Sequence, residues 1–161
     1  GGLDKPALLA SLRDHHVQLN QAALALFADP RFEVTPERRT IAITTLSVAD
    51  LGFGSGATYD RLTTRALELG WVECPLDVGA HLRTQYLDQP EGAVGAPSTK
   101  GRAPPGAITV ASTPLDDTDE TPKGFYLRRI DGVLWLRGYN SWAGHPWSPE
   151  DVFVFARADR R

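Results

Sequence analysis

The sequence predicts an α+β fold in which N-terminal helices pack on a mainly antiparallel β-sheet formed by the C-terminal half. Two observations lead to this prediction. Apolar residues recur at three- and four-residue steps within the first 30 residues, which is the period of an amphipathic helix. The second half contains short runs rich in β-branched and aromatic residues, separated by Gly, Pro and Asp turns. We expect residues 1–161 to form a single domain.

Helices are predicted in three places. Residues 1–30 form a helical N-terminal segment, which a break near His15–His16 would divide into two helices. A second apolar stripe begins after Thr58, a residue suited to the N-cap, and ends at Gly70, where a helix-ending glycine belongs. A third helix is one of two interpretations of the polar segment discussed below.

Strands are predicted mostly after residue 106. One earlier strand, residues 40–47, is rich in β-branched side chains and could join the same sheet. Asp131 and Gly132 stand between two alternating runs, which predicts a hairpin with a type I′ turn. Residues 91–106 are dominated by Gly, Ala, Pro and Ser, and this composition predicts a flexible insertion.

Composition limits the classes of partner. Seventeen basic and 20 acidic residues give a net charge of −3, which is too mild to indicate nucleic-acid binding. No apolar run reaches the roughly 18 residues of a membrane span, so no membrane partner is expected. The sequence leaves the oligomeric state open.

The cellular location is predicted from cysteine content. The single cysteine, Cys74, permits no internal disulfide, which favours a cytoplasmic, reducing compartment. The chain opens with GGLDKP and contains no methionine, so we expect its natural start to have been trimmed, processed or replaced. A removed signal peptide is compatible with such a start.

The segment CPLDVGAHLRTQYLDQP, residues 74–90, carries the densest group of polar side chains. If a helix starts at Pro75, one face of it presents Asp77, His81, Gln85 and Asp88. An aspartate four residues before a histidine can orient the imidazole and raise its pKa. The candidate catalytic residues are therefore His81 as base and Asp77 or Asp88 as its orienting partner, with Arg83 to hold an anion.

A strand is the rival interpretation of this segment. Gly79 inside a helix costs about 1 kcal/mol relative to Ala, which favours ending the helix there. In a strand His81, Arg83 and Gln85 would share one face, and Asp77 would be separated from His81. In either geometry, a structural or solvated role is the commoner origin of such polar spacing.

Residues 51–90 also resemble a family of small, uncharacterised bacterial proteins. The shared pattern is a Gly-Ala-Thr helix start, LG at the helix end, CP, VG and an LR-x-QY-x-DQP core. The matching positions are Gly56, Ala57, Thr58, Leu69, Gly70, Cys74, Pro75, Val78, Gly79, Leu82, Arg83, Gln85, Tyr86, Asp88, Gln89 and Pro90. The insertion after Pro90 departs from the family pattern. The resemblance implies a shared fold and a bacterial source, and it implies no activity.

Aromatic residues in the loop NSWAGHPWSPED provide a second candidate site. They either cover the end of the sheet or rim a pocket for a small ligand. Together with the polar segment they give the candidate ligand-binding residues Arg83, Gln85, Tyr86, Trp142, His145 and Trp147. No histidine or cysteine spacing matches a metal site, so we expect neither a metal nor a cofactor.

Two function classes follow from these residues. The first is a non-catalytic binding or interaction module for a small polar ligand or a protein partner, with a surface running from Arg83, Gln85 and Tyr86 to the aromatic loop. The second is a hydrolase or transferase that uses His81 with Asp77 or Asp88. The second class requires His81 within hydrogen-bond reach of a carboxylate in a concave pocket.

Overall fold

A computed structural model of the chain describes residues 1–92 and 103–158. In these residues the helices are α1 (Lys5–Asp14), α2 (Gln21–Ala28), α3 (Tyr59–Glu68) and α4 (Val78–Gln85). The strands are β1 (Gln18–Leu19), β2 (Ile43–Ser47), β3 (Trp71–Val72), β4 (Ile108–Val110), β5 (Gly124–Ile130), β6 (Val133–Tyr139) and β7 (Val152–Arg157). Most of the insertion predicted at 91–106 lies outside the described residues. None of the described helices is long and apolar enough to cross a membrane.

The strands form one sheet in the order β1-β6-β5-β4-β7-β2, and β3 also pairs with β7. The α+β class is therefore confirmed, but the sheet is mixed and the prediction of a mainly antiparallel sheet is wrong. Strand β1 lies parallel to β6, and β7 crosses over to lie parallel to β4. Helices α3 and α4 follow β2 and are not N-terminal, and three strands from the first half join the sheet. Pairings between distant segments leave no local periodicity from which strand direction could be read.

Local predictions agree better with the structure. Asp131 and Gly132 both have positive φ, 50° and 75°, as a type I′ hairpin requires, and they join Ile130 to its partner Val133. Helix α3 ends before Gly70, whose φ of 83° is the left-handed conformation of a helix-ending glycine. The N-terminal segment divides where expected, because His16 leaves the helix with a φ of 55°.

The sheet separates two hydrophobic clusters. Alternation along β7 places Val154 in one cluster and its neighbours Phe153 and Phe155 in the other. The face that carries Val154 is covered by α1, α2 and α4, and we call it the helical face. The face that carries Phe153 packs against α3 and the loops before α3 and β7, and we call it the cleft face.

Candidate ligand-binding site

Residues 78–85 are helical, so the helical interpretation of the polar segment is confirmed. Asp77, His81 and Gln85 line one small cavity of about 220 Å³, whereas Asp88 lies beyond the helix end and is exposed. The Nε2 of His81 is 3.7 Å from Oδ2 of Asp77, which is too long for a hydrogen bond. That Oδ2 accepts a 2.8 Å hydrogen bond from the backbone N–H of Thr35. Asp77 therefore holds the chain before β2 against α4.

The environment of His81 shifts its pKa downwards. Burial of the ring is the largest cause and outweighs the opposing effect of Asp77. The direction is opposite to the one that the Asp77–His81 spacing alone suggests. At neutral pH His81 is a neutral imidazole, and its Nε2 has no hydrogen-bond partner in the described part of the chain.

Arg83 lies in the core and not on a binding surface. Its side chain is completely buried, and its guanidinium donates to Oε1 of Gln89 and to the backbone oxygens of Tyr86 and Trp135. Burial lowers the pKa of Arg83 to about 10. Three protein acceptors bind its Nη1 and Nη2 atoms, whereas Nε has no partner among the described residues. Arg83 therefore connects α4 to β6 inside the protein.

The two groups of candidate ligand-binding residues are not brought together. Tyr86 is half-buried against the cluster of the helical face, and Gln85 is exposed on the same helix. Trp147 belongs to the cluster of the cleft face, beside Phe153. Because the sheet stands between these clusters, the surface expected to connect α4 with the aromatic loop does not form.

Cys74 behaves as a small hydrophobic residue. It is buried in the cluster of the helical face, and burial raises the pKa of its thiol to about 12. A thiol at such a pKa stays protonated and is a poor nucleophile at neutral pH. Within residues 1–92 and 103–158, no group of three or more His, Cys, Asp or Glu side chains could hold a metal ion.

The cleft face carries a cavity of about 750 Å³, which we call the aromatic cleft. Five separate segments supply its walls: the start of α3, the residues after β3 and after β4, the end of β6, and the loop before β7. The lining residues that matter here are Tyr59, Glu73, Ser112, Tyr139, Trp142 and Trp147. The loop residues predicted to rim a pocket are thus partly on this cleft.

Edge-to-face aromatic contacts fix the loop side of the cleft. The ring of Trp147 lies 5.8 Å from Tyr139 and 4.7 Å from His145, nearly perpendicular to both. His145 in turn contacts Trp142 at 4.8 Å. Trp147 and His145 are buried, whereas Trp142 is 53% exposed. The loop therefore both covers the sheet and places one exposed indole at the rim.

Glu73 is held in a fixed position within the cleft. The hydroxyl of Tyr59 donates to its Oε1 at 2.8 Å, and the hydroxyl of Thr113 donates to its Oε2 at 3.0 Å. Burial raises the pKa of Tyr59 well above its ordinary value, with Tyr139 and Glu73 acting in the same direction. Tyr59 is therefore a neutral donor that fixes the Glu73 carboxylate between two hydroxyl groups.

Two buried polar atoms of the lining residues have no hydrogen-bond partner in the part of the chain that the structure describes. Ser112 and Trp147 are 1% and 6% exposed, and neither Ser112 Oγ nor Trp147 Nε1 makes a hydrogen bond to any described residue. A Cβ at Gly124 would lie 2.8 Å from Ser112 Oγ, so the glycine leaves space around this hydroxyl. Buried polar groups are almost always paired, so two unpaired atoms on residues that line one cleft are uncommon.

Sequence reasoning missed most of the cleft. Tyr59 reads as one apolar residue of the α3 stripe, and Glu73, Ser112 and Tyr139 show no spacing that links them. Of the cleft residues, only the loop tryptophans were predicted as candidates for a binding site. A tryptophan in a Gly/Pro-rich loop is not readily explained as part of the hydrophobic core. Residues that meet through long-range strand pairing leave no local signature.

Comparisons of the chain with models of protein families, with curated proteins and with solved structures find no match. The resemblance of residues 51–90 to a family of bacterial proteins therefore stays a prediction.

Proposed function

We propose that the protein is a non-catalytic binding module whose aromatic cleft takes a small polar ligand. One observation carries the proposal: Ser112 Oγ and Trp147 Nε1 are buried, with no hydrogen-bond partner among the described residues, on side chains that line a cavity of about 750 Å³. Leaving such a group unsatisfied costs about 1–3 kcal/mol. A ligand that hydrogen-bonds both atoms, after a small movement of the side chains that cover them, would recover part of that cost on binding.

The dimensions and walls of the cleft support a small molecule over a protein partner. Ligand cavities typically measure about 300–1,000 Å³ and combine aromatic walls with a few fixed polar groups. The aromatic cleft has both, since Tyr139 and Trp147 supply ring surfaces and the Glu73 carboxylate is already oriented. A protein partner would instead need a broad surface of roughly 800 Å² on this chain.

A hydrolase or transferase built on His81 receives less support. A general base needs a hydrogen-bonded orienting group, and 3.7 Å separates His81 Nε2 from Asp77. Asp88 is exposed beyond the helix end, and the Arg83 guanidinium already binds protein acceptors. The four residues do not converge on one point where a substrate could react.

The proposal is tested by NMR detection of ligand binding at the four indole N–H groups. A library of small polar compounds would be added to ¹⁵N-labelled protein. Saturable shifts are expected at Trp142 and Trp147, which line the cleft. Trp71 and Trp135 do not line it and serve as internal controls. The proposal fails if no compound shifts the first pair more than the second.

A variant pair checks where the ligand binds. Trp142→Ala removes an exposed side chain at the rim of the cleft. We expect it to weaken ligand affinity about tenfold, because one aromatic contact contributes up to about 1.5 kcal/mol to binding. Leu69→Ala is the matched control, because Leu69 is also exposed and large but lies outside the cleft. Equal affinities of the two variants would argue against the cleft as the binding site.

A further inference from the structure

The charged groups of the aromatic cleft are mostly acidic. Among the described residues, three carboxylates line it, from Asp60, Glu73 and Asp117, against one ammonium group, that of Lys123. The Nζ of Lys123 donates to the backbone oxygens of Asp116 and Thr118. Its ammonium group is therefore bound by the loop between β4 and β5. An anionic ligand would meet net repulsion here, and a cationic ligand net attraction.

The aromatic rings of the cleft also favour a positively charged ligand. Aromatic faces attract cations through their negative quadrupole, and Trp is the strongest of the three ring types. Trp142, Tyr59 and Tyr139 line the same cleft as the fixed carboxylate of Glu73, and the Tyr59 hydroxyl contacts that carboxylate. An ammonium group there would contact ring faces and an oriented carboxylate together.

Hydrogen bonding indicates what the rest of the ligand carries. Trp147 Nε1 can only donate, so the ligand must also present an acceptor, whereas Ser112 Oγ can donate or accept. An alkylammonium that bears a hydroxyl or ether oxygen satisfies both atoms. An organic cation without a polar atom would leave Trp147 Nε1 unpaired.

We infer that the ligand of the aromatic cleft is an organic cation of the hydroxyalkylammonium class, with its nitrogen held by Glu73 and the surrounding rings. This inference rests on the proposed function and specifies its ligand. The acidic lining does not carry it alone, since the aromatic lining and the buried Ser112 hydroxyl, which has no partner within the described chain, are independent observations. A neutral sugar would also stack on these rings, and the experiment separates the two classes.

The experiment compares choline with its neutral analogue, in which carbon replaces nitrogen, and with a methyl glucoside and acetate. Titrations follow the indole N–H signals of Trp142 and Trp147. We expect choline to bind at least about tenfold more tightly than the neutral analogue, and more weakly at high salt. Acetate should not shift these signals.

Glu73→Gln is the central variant, because it removes the charge and keeps the shape. We expect choline affinity to fall about tenfold or more. Glu68→Gln is the matched control, since it makes the same charge change on exposed α3 outside the cleft and should leave affinity unchanged. If Glu73→Gln does not fold, the Asp60→Asn, Asp117→Asn double variant removes two cleft charges and should weaken choline binding instead.

The outcomes separate the two proposals. Equal binding of choline and its neutral analogue, or binding of the glucoside alone, overturns the cation inference and leaves the binding proposal intact. Equal loss of affinity in Glu73→Gln and Glu68→Gln also overturns the inference. Absence of any cleft-specific shift with these probes and with the polar library overturns both.

Discussion

The side chains of Arg83 and Gln89 are bound to each other inside the protein. Nη1 of Arg83 donates to Oε1 of Gln89 at 2.5 Å, and both side chains are at most 1% exposed. Nε2 of Gln89 donates at 3.1 Å to the backbone oxygens of Leu127 and Gly106. A neutral amide thus links a buried guanidinium to β5 and to the chain that enters β4.

Gln89→Leu should destabilise the protein strongly. The change leaves the buried Arg83 guanidinium with one acceptor fewer and deprives two backbone carbonyls of a donor. We expect a loss of about 2–5 kcal/mol in the free energy of unfolding, measured by urea denaturation. Gln85→Leu, an exposed residue four positions earlier, is the control and should stay within about 0.5 kcal/mol of the parent chain. Similar stabilities for both variants would contradict a structural role for the pair.

Gly79 allows α4 to lie directly on β5. A Cβ at this position would stand 2.8 Å from Cβ of Phe125 and 3.2 Å from its ring. Although Gly79→Ala improves helix propensity by about 1 kcal/mol, overpacking against Phe125 should dominate. We expect a net loss of about 1–3 kcal/mol in the free energy of unfolding.

The control for this prediction is Gly54→Ala. An added Cβ has no atom within 4 Å at Gly54, and its backbone is outside the left-handed region. Chemical denaturation should show little change there. If Gly79→Ala proved as stable as the parent chain, α4 would have room to move away from the sheet, and the close packing would not be a constraint.

How far the sequence predicts the fold depends on the range of the interactions. The Asp131–Gly132 turn and the Gly70 helix end are set by backbone preferences of single residues, and both were predicted. Strands β1 and β3 have two residues each and exist only because β6 and β7 pair with them. Such strands have no period to detect. At Gly79 a long-range contact overrides a local preference. Glycine is unfavourable within a helix, but the close contact of α4 with Phe125 leaves no room for a larger residue.

The candidate site follows the same rule. The polarity of Arg83 predicts a surface position. No local feature of the sequence shows that the Gln89 side chain and two backbone carbonyls bind its guanidinium in the core. The motif that carries the family resemblance includes Cys74, Gly79, Arg83 and Gln89, and each has a structural role here. A pattern of this kind predicts a fold more directly than an activity. The cleft residues lie mostly outside it.

His16→Gly should stabilise the protein. His16 follows the cap of α1 with a φ of 55°, while its N–H donates to Arg13 and that of Val17 donates to Leu12, a Schellman ending. The left-handed conformation costs a non-glycine residue about 1–2 kcal/mol, and glycine's greater unfolded-state entropy offsets part of the gain. We expect a net increase of about 0.5–1 kcal/mol, seen as a rise in Tm of about 1–4 °C.

His16→Ala is the control for this change. It removes the imidazole but keeps a Cβ, so the strain persists and no increase in Tm is expected. An equal rise in both variants would assign the effect to the side chain and not to the backbone.

Stability should fall on acidification because His81 and His145 are buried. Burial lowers the pKa of each ring below the ordinary 6.5, and this cause outweighs the opposing carboxylates Asp77 and Asp151. The unfolded chain then binds protons more tightly than the folded chain. The stabilisation from neutral rings is complete above about pH 6.5 and is lost as the pH falls through the lower, folded-state values.

The pKa of His81 in the folded protein, followed by the ring signals in an NMR titration, should therefore lie below 6.5. Urea denaturation between pH 8 and pH 5 should show a shallower loss of stability in His81→Gln than in the parent chain. At pH 8 the His81 ring of the parent chain and the His145 ring of both chains are neutral. The difference in unfolding free energy between the two chains at that pH therefore measures the packing of residue 81 alone. A pKa above 6.5 would instead mean that Asp77 controls the ring, as a hydrogen-bonded base and orienting pair requires. The small cavity at α4 would then become the stronger candidate for catalysis.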